Sequence, residues 1–180
     1  MKAQQLFFPE SAVLQEYSPS APYVFKTGKH KGQTLEVLMF KDYAFLVWLL
    51  RKLDKDNKHK KTKKNMLHLH LEWLLKRGED RIAKMLCPQC SEEPVVYFSV
   101  IRTGSDCLIS HIYTSCEKEE CIEKLYSMSL GNVVYLYPFR FSVMMEFSSR
   151  NREQVTKLFK TVFDISRLTP QIAFDFFNNS

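Results

Sequence analysis

The sequence predicts an α+β protein in which helices dominate the first half of the chain and short strands dominate the second. Three observations carry this prediction. Apolar residues recur at helical spacing before residue 86, β-type runs separated by turns follow a Cys-Pro-Gln-Cys segment at residues 87–90, and a last helical pattern closes the chain. We therefore expect a small β-hairpin and a helical hairpin, joined to a cysteine-containing β domain with a C-terminal helix.

In the first half, residues 1–21 show little periodicity and are interpreted as an irregular leader. Residues 23–25 and 34–35 flank a glycine-containing turn and predict a short hairpin. Asp42 then precedes an apolar stretch of helical length, as an N-cap or first-turn carboxylate would. A second helix is predicted over 66–84, so that the two helices pack as a hairpin.

In the second half, runs at 95–101 and 107–114 around a turn predict a β-hairpin. Further strand-like segments cover 133–137 and 139–147, and Pro138 between them fits an edge strand or a bulge. A helix is predicted over 151–164, and Thr169-Pro170 can start a final short helix.

Charge is distributed unevenly along the 180 residues, whose formal net charge is +6. Residues 1–86 contain 17 lysines and arginines against 9 acidic residues, whereas the remainder contains 9 against 11. A basic half favours a polyanionic partner, and we expect nucleic acid rather than membrane because no basic amphipathic helix stands out. We also expect a cytoplasmic protein, since the longest apolar run, residues 43–50, is too short to span a bilayer and no secretory signal is visible.

A basic turn lies at the start of the predicted hairpin. Gly28 and Gly32 bracket three cationic or near-cationic residues, so the backbone can turn tightly and approach a ligand closely. A loop with many lysines is predicted over 54–65, kept open by self-repulsion. We expect phosphate contacts from both segments. The candidate residues are Lys26, Lys29, His30, Lys31, Lys58, Lys60, Lys61, Lys63 and Lys64.

Two strings within residues 22–53 resemble the C-terminal module of exodeoxyribonuclease X and its relatives. They are Gly28-Lys29-His30-Lys31-Gly32-Gln33-Thr34 and Asp42-Tyr43-Ala44-Phe45-Leu46-Val47-Trp48-Leu49-Leu50. In that family the nuclease chemistry belongs to a separate acidic domain, which we expect this chain to lack. The resemblance therefore implies association with nucleic acid, over a basic module at 22–86.

The chain has five cysteines, and we expect it to be cytoplasmic. Both points argue against a disulfide framework and for a metal site. The pair Cys87 and Cys90 and the pair Cys116 and Cys121 stand at the two ends of the predicted hairpin. Four thiolates predict a structural Zn2+ site, and residues 87–180 resemble a zinc ribbon. His111 could replace one ligand. A redox Cys-x-x-Cys and unrelated buried cysteines, as expected for Cys107 within a strand, are the alternatives.

Catalytic motifs are not apparent. The carboxylates Glu36, Asp42 and Glu72 are widely spaced, and His68 and His70 point about 200° apart on a helix, so that one should be exposed and one partly packed. No P-loop, G-x-S-x-G or G-x-G-x-x-G is present. The sequence does not predict an enzyme.

The leading hypothesis is a non-catalytic, largely sequence-nonspecific nucleic-acid-binding protein, with DNA favoured over RNA. Tyr23, Phe25 and Tyr43 could stack on unpaired bases. The alternative is an accessory subunit of a larger nucleic-acid-processing or defence complex. It would dock a protein partner through residues 87–180, with the terminal aromatic residues Phe174, Phe176 and Phe177 as contacts.

Overall fold

A computed structural model describes residues 17–60, 64–103, 108–128, 135–146 and 148–179, and it confirms the α+β class. Within these residues a three-stranded antiparallel sheet accompanies seven helices. In chain order the elements are α1 Leu35–Lys41, α2 Tyr43–Lys60, α3 Met66–Glu79, β1 Tyr97–Thr103, β2 Leu108–Ser115, α4 Glu119–Met128, β3 Tyr137–Pro138, α5 Phe141–Glu146, α6 Ser148–Val162 and α7 Pro170–Asn178.

The basic turn leads into a short helix that the sequence did not predict. The expected hairpin is reduced to one bridge between Val24 and Thr34, and the side chain of Thr34 then accepts a hydrogen bond from the Val37 amide and caps α1. Residues 35–40 are all buried. A helix buried on every side shows no polar face, which is why its period is invisible in the sequence.

Helix α2 continues through the segment predicted as a lysine-rich loop, so that prediction is wrong for residues 54–60. Asp54 and Asp56 stand four residues before Lys58 and Lys60, which offsets the repulsion between the lysines. The preceding turn of the helix is anchored as well, because Leu50 and Leu53 pack against the core. Lys61 and Lys63 lie outside the described residues.

Helix α3 ends at Glu79, short of the predicted residue 84, and it buries both of its histidines. The expectation that one of His68 and His70 would be exposed is wrong, because α3 is covered on two sides. His70 points toward α1, where its Nε2 lies 2.6 Å from Oε1 of the fully buried Glu36. His68 points toward α2.

The sheet has the order β2-β1-β3, and the β1–β2 register shifts between Ile101 and Arg102, where Ser110 of β2 is passed over. Pro138 lies in the edge strand β3, as predicted. The strand-like prediction over 139–147 is wrong, since α5 occupies 141–146. The Glu79 carboxylate accepts hydrogen bonds from the Ser142 amide and hydroxyl, both 2.8 Å long, and so caps the start of this helix. Residues 133–134 lie outside the described residues.

Phe40 of α1 lies at the centre of the hydrophobic core. Its ring centroid is 5.3 to 6.1 Å from those of four phenylalanines on α5, α6 and α7. These are Phe141, Phe159, Phe176 and Phe177. Helices from both sides of residue 86 therefore share one core. The predicted start of α7 at Pro170 is confirmed, with Thr169 as its N-cap.

None of the helices in the described residues is both long enough and apolar enough to cross a bilayer.

Replacing Phe40 with alanine should lower the free energy of unfolding by about 3–5 kcal/mol, because it opens a cavity where four helices meet. Met66→Ala is the matched control; this side chain is largely exposed at the start of α3, and its truncation should change stability by less than about 0.5 kcal/mol. Urea denaturation followed by circular dichroism measures both values. Equal losses in the two variants would show that Phe40 does not organise the core.

Candidate metal centre and basic surface

The fold brings four cysteines together from two places in the chain. Cys87 and Cys90 lie in the turn before β1, Cys116 follows β2 directly, and Cys121 lies in the first turns of α4. Their four sulfur atoms all lie within 4.8 Å of one another. The β1–β2 hairpin therefore delivers the second cysteine pair to the first, as the sequence predicted.

Backbone geometry holds the first cysteine pair in a tight knuckle. The Ser91 amide donates to the Cys87 carbonyl over 2.8 Å, and Ser91 adopts a left-handed conformation with φ of 58°. The Cys87 amide donates to the Glu93 carbonyl over 2.7 Å. At the surface, Lys118 before α4 pairs with Glu92 and ties the two cysteine-bearing segments together.

Sulfur spacing and burial fit a tetrahedral metal site. The Cys90 and Cys116 sulfurs are 3.9 Å apart, and four sulfurs about 2.3 Å from a central Zn2+ would lie about 3.8 Å apart. Cys87, Cys116 and Cys121 are buried and Cys90 is half-buried. The cluster could therefore hold a metal ion.

The four thiols differ in acidity. Burial alone would raise the pKa of Cys87. Hydrogen bonds from the backbone of Gln89, Cys116 and Cys90 outweigh this effect and lower the pKa to about 6. Backbone hydrogen bonds at Glu93 and Glu92 lower the pKa of Cys90. Burial, followed by the neighbouring sulfurs, raises the pKa of Cys121 to about 12. Because these groups interact, they titrate as one unit, and a cation favours the thiolate form of all four.

The structure also bears on the other candidate ligands. His111 lies exposed on β2, stacked on Tyr113, and is outside the four-cysteine cluster. Cys107 lies outside the described residues.

The basic turn has the predicted backbone, but His30 does not point outward. Gly28 and Gly32 both have φ of +80°, the left-handed region that favours glycine. Lys26, Lys29 and Lys31 are exposed, whereas the His30 ring is buried with its centroid 4.4 Å from that of Phe45. The expectation that His30 faces a ligand is wrong in this respect, because its ring fixes the turn on α2.

The three aromatic residues that were predicted to stack on bases are buried or half-buried. Tyr43 is buried, and its hydroxyl donates to Glu79 over 3.3 Å; burial and Glu79 raise its pKa. Tyr23 and Phe25 are half-buried and pack against the core. None of these three is a free platform for a base.

Trp48 is the exposed aromatic residue beside the turn. Its side chain is 54% exposed, its ring stacks on Phe45 at 5.8 Å between centroids, and the Lys52 ammonium lies 5.3 Å from its ring centre. We call Lys29, Lys31, Phe45, Trp48 and Lys52 the Trp48 surface. Sequence reasoning placed Trp48 in a motif but could not separate an exposed ring from a buried one.

The Trp48 surface continues along α2 as a basic stripe. Lys55 and His59 follow Lys52 at spacings of three and four residues, which places them on one face of the helix, and all three are exposed. Of the predicted loop lysines, Lys58 and Lys64 are exposed, and Lys64 pairs with Glu72. The structure does not describe the side chains of Lys60, Lys61 and Lys63.

Comparison with protein-family models, curated proteins and solved structures finds no match for this chain. The resemblances to the exodeoxyribonuclease X module and to zinc ribbons therefore stay predictions from the sequence.

Replacing Cys116 with serine should weaken the sulfur-to-metal charge-transfer band of the Co2+-loaded protein and lower its melting temperature, because one of four thiolate ligands is lost. His111→Ala is the control, because His111 is exposed and outside the four-cysteine cluster, and it should leave the band unchanged. The measurement is ultraviolet-visible absorbance during Co2+ titration under reducing conditions. An unchanged band in Cys116→Ser would contradict a four-cysteine site.

Proposed function

We propose that this protein binds nucleic acid without strong sequence preference, with the Trp48 surface as its contact site. The observation that carries the proposal is the Trp48 ring, which is 54% exposed and contacts Phe45, a residue that also packs on His30 of the basic turn. Proteins that bind single strands combine stacking platforms of this kind with cationic grooves. The motif resemblance over residues 22–53 points to the same class of ligand.

Stacking supplies the aromatic part of the contact. A base laid on Trp48 covers an apolar ring that otherwise meets water, and each base–aromatic stack contributes about 1–3 kcal/mol. Phe45 supports the ring from beneath and limits the entropy lost on binding. Because every base has a flat face, this contact favours unpaired strands and reads little sequence.

Lysines supply the electrostatic part. Lys29 and Lys31 are exposed on the turn that His30 fixes against Phe45, and Lys52 and Lys55 are exposed on α2. Lys29 shares its charge with Asp42, 3.4 Å away, at an exposed position where the pairing is weak. Phosphate contacts of this kind give affinity that falls with salt. The preference for DNA over RNA rests on the motif resemblance.

We propose Zn2+ as the metal of the four-cysteine cluster and a structural role for it. Thiolate donors in tetrahedral array suit Zn2+, and four protein ligands leave no position open for a substrate. The ion would join the knuckle, the β1–β2 hairpin and α4, and so add to the surface pair of Lys118 and Glu92.

For the alternative, a protein-docking subunit, the terminal aromatic residues are not available as contacts. Phe174 and Phe177 are buried and Phe176 is half-buried, and all three lie against the protein's own helices. A partner for residues 87–180 stays a prediction that would need another surface.

Replacing Lys52 and Lys55 together with glutamine should weaken binding to a single-stranded DNA oligonucleotide at low salt, by about tenfold, and should reduce the slope of log K against log salt by roughly 1–2. Trp48→Leu should cost about 1–3 kcal/mol of binding free energy with little change in that slope. Fluorescence anisotropy at several salt concentrations measures all of these, with duplex DNA and RNA in parallel.

The matched control is the pair Lys124→Gln and Lys157→Gln, which removes two exposed lysines from α4 and α6. It should bind as the wild type does. If the two double substitutions weaken binding equally, the attraction is due to net charge and not to the Trp48 surface. If the wild type binds none of the nucleic acids, the proposed function is wrong.

A further inference from the structure

A second cluster of metal-ligand side chains lies between α2 and α3, apart from the four cysteines. It consists of Asp54 on α2 and of His68 and Glu72 on α3, and one ligand atom from each lies within 4.8 Å of the others. Asp54 and Glu72 stand eighteen residues apart in the sequence. The sequence analysis missed the cluster because it assigned Asp54 to a loop over 54–65, whereas Asp54 lies in α2.

His68 is directed into this cluster without completing a hydrogen bond there. Its side chain is 1% exposed, and its Nε2 lies 3.0 Å from Oδ1 of Asp54 and 3.5 Å from Oε1 of Glu72. Nε2 nevertheless makes no hydrogen bond, and neither does the buried Oε2 of Glu72. Buried polar atoms of this kind carry a free-energy cost unless something satisfies them.

The separations fit donors around one cation. Two donors about 2.1 Å from an ion lie about 3.0 Å apart at a right angle and about 3.4 Å apart at a tetrahedral angle. The two distances from Nε2 match these values. A cation placed among the three side chains would satisfy the imidazole lone pair and both carboxylates.

Asn57 provides the support that a metal-binding imidazole needs on its other nitrogen. The side-chain amide of Asn57 lies 2.8 Å from Nδ1 of His68. The amide atom that faces Nδ1 is the nitrogen Nδ2, which donates to Nδ1 and leaves the ring proton on Nε2. Turning the amide so that its oxygen faces Nδ1 moves the ring proton to Nδ1, and the Nε2 lone pair is then directed at the carboxylates. Asn57 thus holds the ring orientation, and a cation at Nε2 requires the amide to present its oxygen to Nδ1.

We propose that Asp54, His68 and Glu72 form a divalent-cation site with one nitrogen and two carboxylate donors. This donor set suits Zn2+ and Mn2+, and it suits Mn2+ far better than four thiolates do. Asp54 is 45% exposed, so the site opens to solvent and water completes the coordination. Lys64 pairs with Glu72 and is 37% exposed, so its side chain can move away when a cation arrives.

The test counts metal in the full chain. Protein reconstituted with Zn2+ under reducing conditions and dialysed should hold two ions per chain, measured by inductively coupled plasma mass spectrometry. Asp54→Asn combined with Glu72→Gln should hold one, because the shapes are kept and both charges are lost. Asp56→Asn is the matched control, an exposed carboxylate on the same helix that does not belong to the cluster, and should hold two.

Mn2+ gives an independent measurement, because it avoids the cysteines. Loss of the free Mn2+ electron paramagnetic resonance signal should report one site in the wild type and in Asp56→Asn, and none in the double variant. The Co2+ charge-transfer band shows that the double variant still folds around its cysteines. If it does not fold, Asp54→Asn alone takes its place in both measurements.

One Zn2+ ion per chain and no Mn2+ site in the wild type would overturn the proposal, as would unchanged binding in the double variant. The cluster would then be a buried histidine between two carboxylates. Neither result depends on whether the Trp48 surface binds nucleic acid, so this proposal and the proposed function fail separately.

Discussion

Burial of α1 is the constraint on which the rest of the structure depends. All of its apolar side chains lie inside the protein, and Phe40 joins it to α5, α6 and α7. The helix is only seven residues long, too short to be stable alone, so tertiary packing must hold it. Because Asp42 ends α1 and α2 begins at Tyr43, the direction of α1 also sets the direction of α2.

The two faces of α2 then acquire different chemistry. One face presents Trp48 and Lys52 to solvent, and the other carries Leu53 into the core and Asp54 toward His68. The basic turn is fixed to the first turns of this helix through the contact of His30 with Phe45. The proposed nucleic-acid surface and the proposed cation site therefore both depend on a helix that α1 positions.

Sequence reasoning succeeded where the signal was local. The Cys-Pro-Gln-Cys knuckle, the hairpin that follows it and the Thr169-Pro170 helix start are short patterns whose geometry depends on few residues. It failed where burial decided the outcome. Nothing in the sequence distinguishes the exposed Trp48 from the buried Tyr43, since both belong to one apolar run, and only packing against Glu79 and Phe45 separates them.

The lysine-rich segment and the residues near 139–147 show the same limit in secondary structure. Six lysines within residues 54–65 predicted an open loop, yet interspersed acids and an apolar inner face keep residues 54–60 helical. The start of α5 depends on Glu79, a residue more than sixty positions away. Long-range contacts of this kind leave no trace in a local pattern, and the cation cluster was missed for the same reason.

The most direct measurement is the fluorescence of Trp48 during titration with a single-stranded DNA oligonucleotide. The chain has two tryptophans, so Trp73→Phe leaves Trp48 as the reporter. Stacking of a base on Trp48 should quench its emission at saturating DNA, and added salt should restore it. Unchanged Trp48 emission while anisotropy shows bound DNA would place the contact elsewhere on the protein and contradict the Trp48 surface as the binding site.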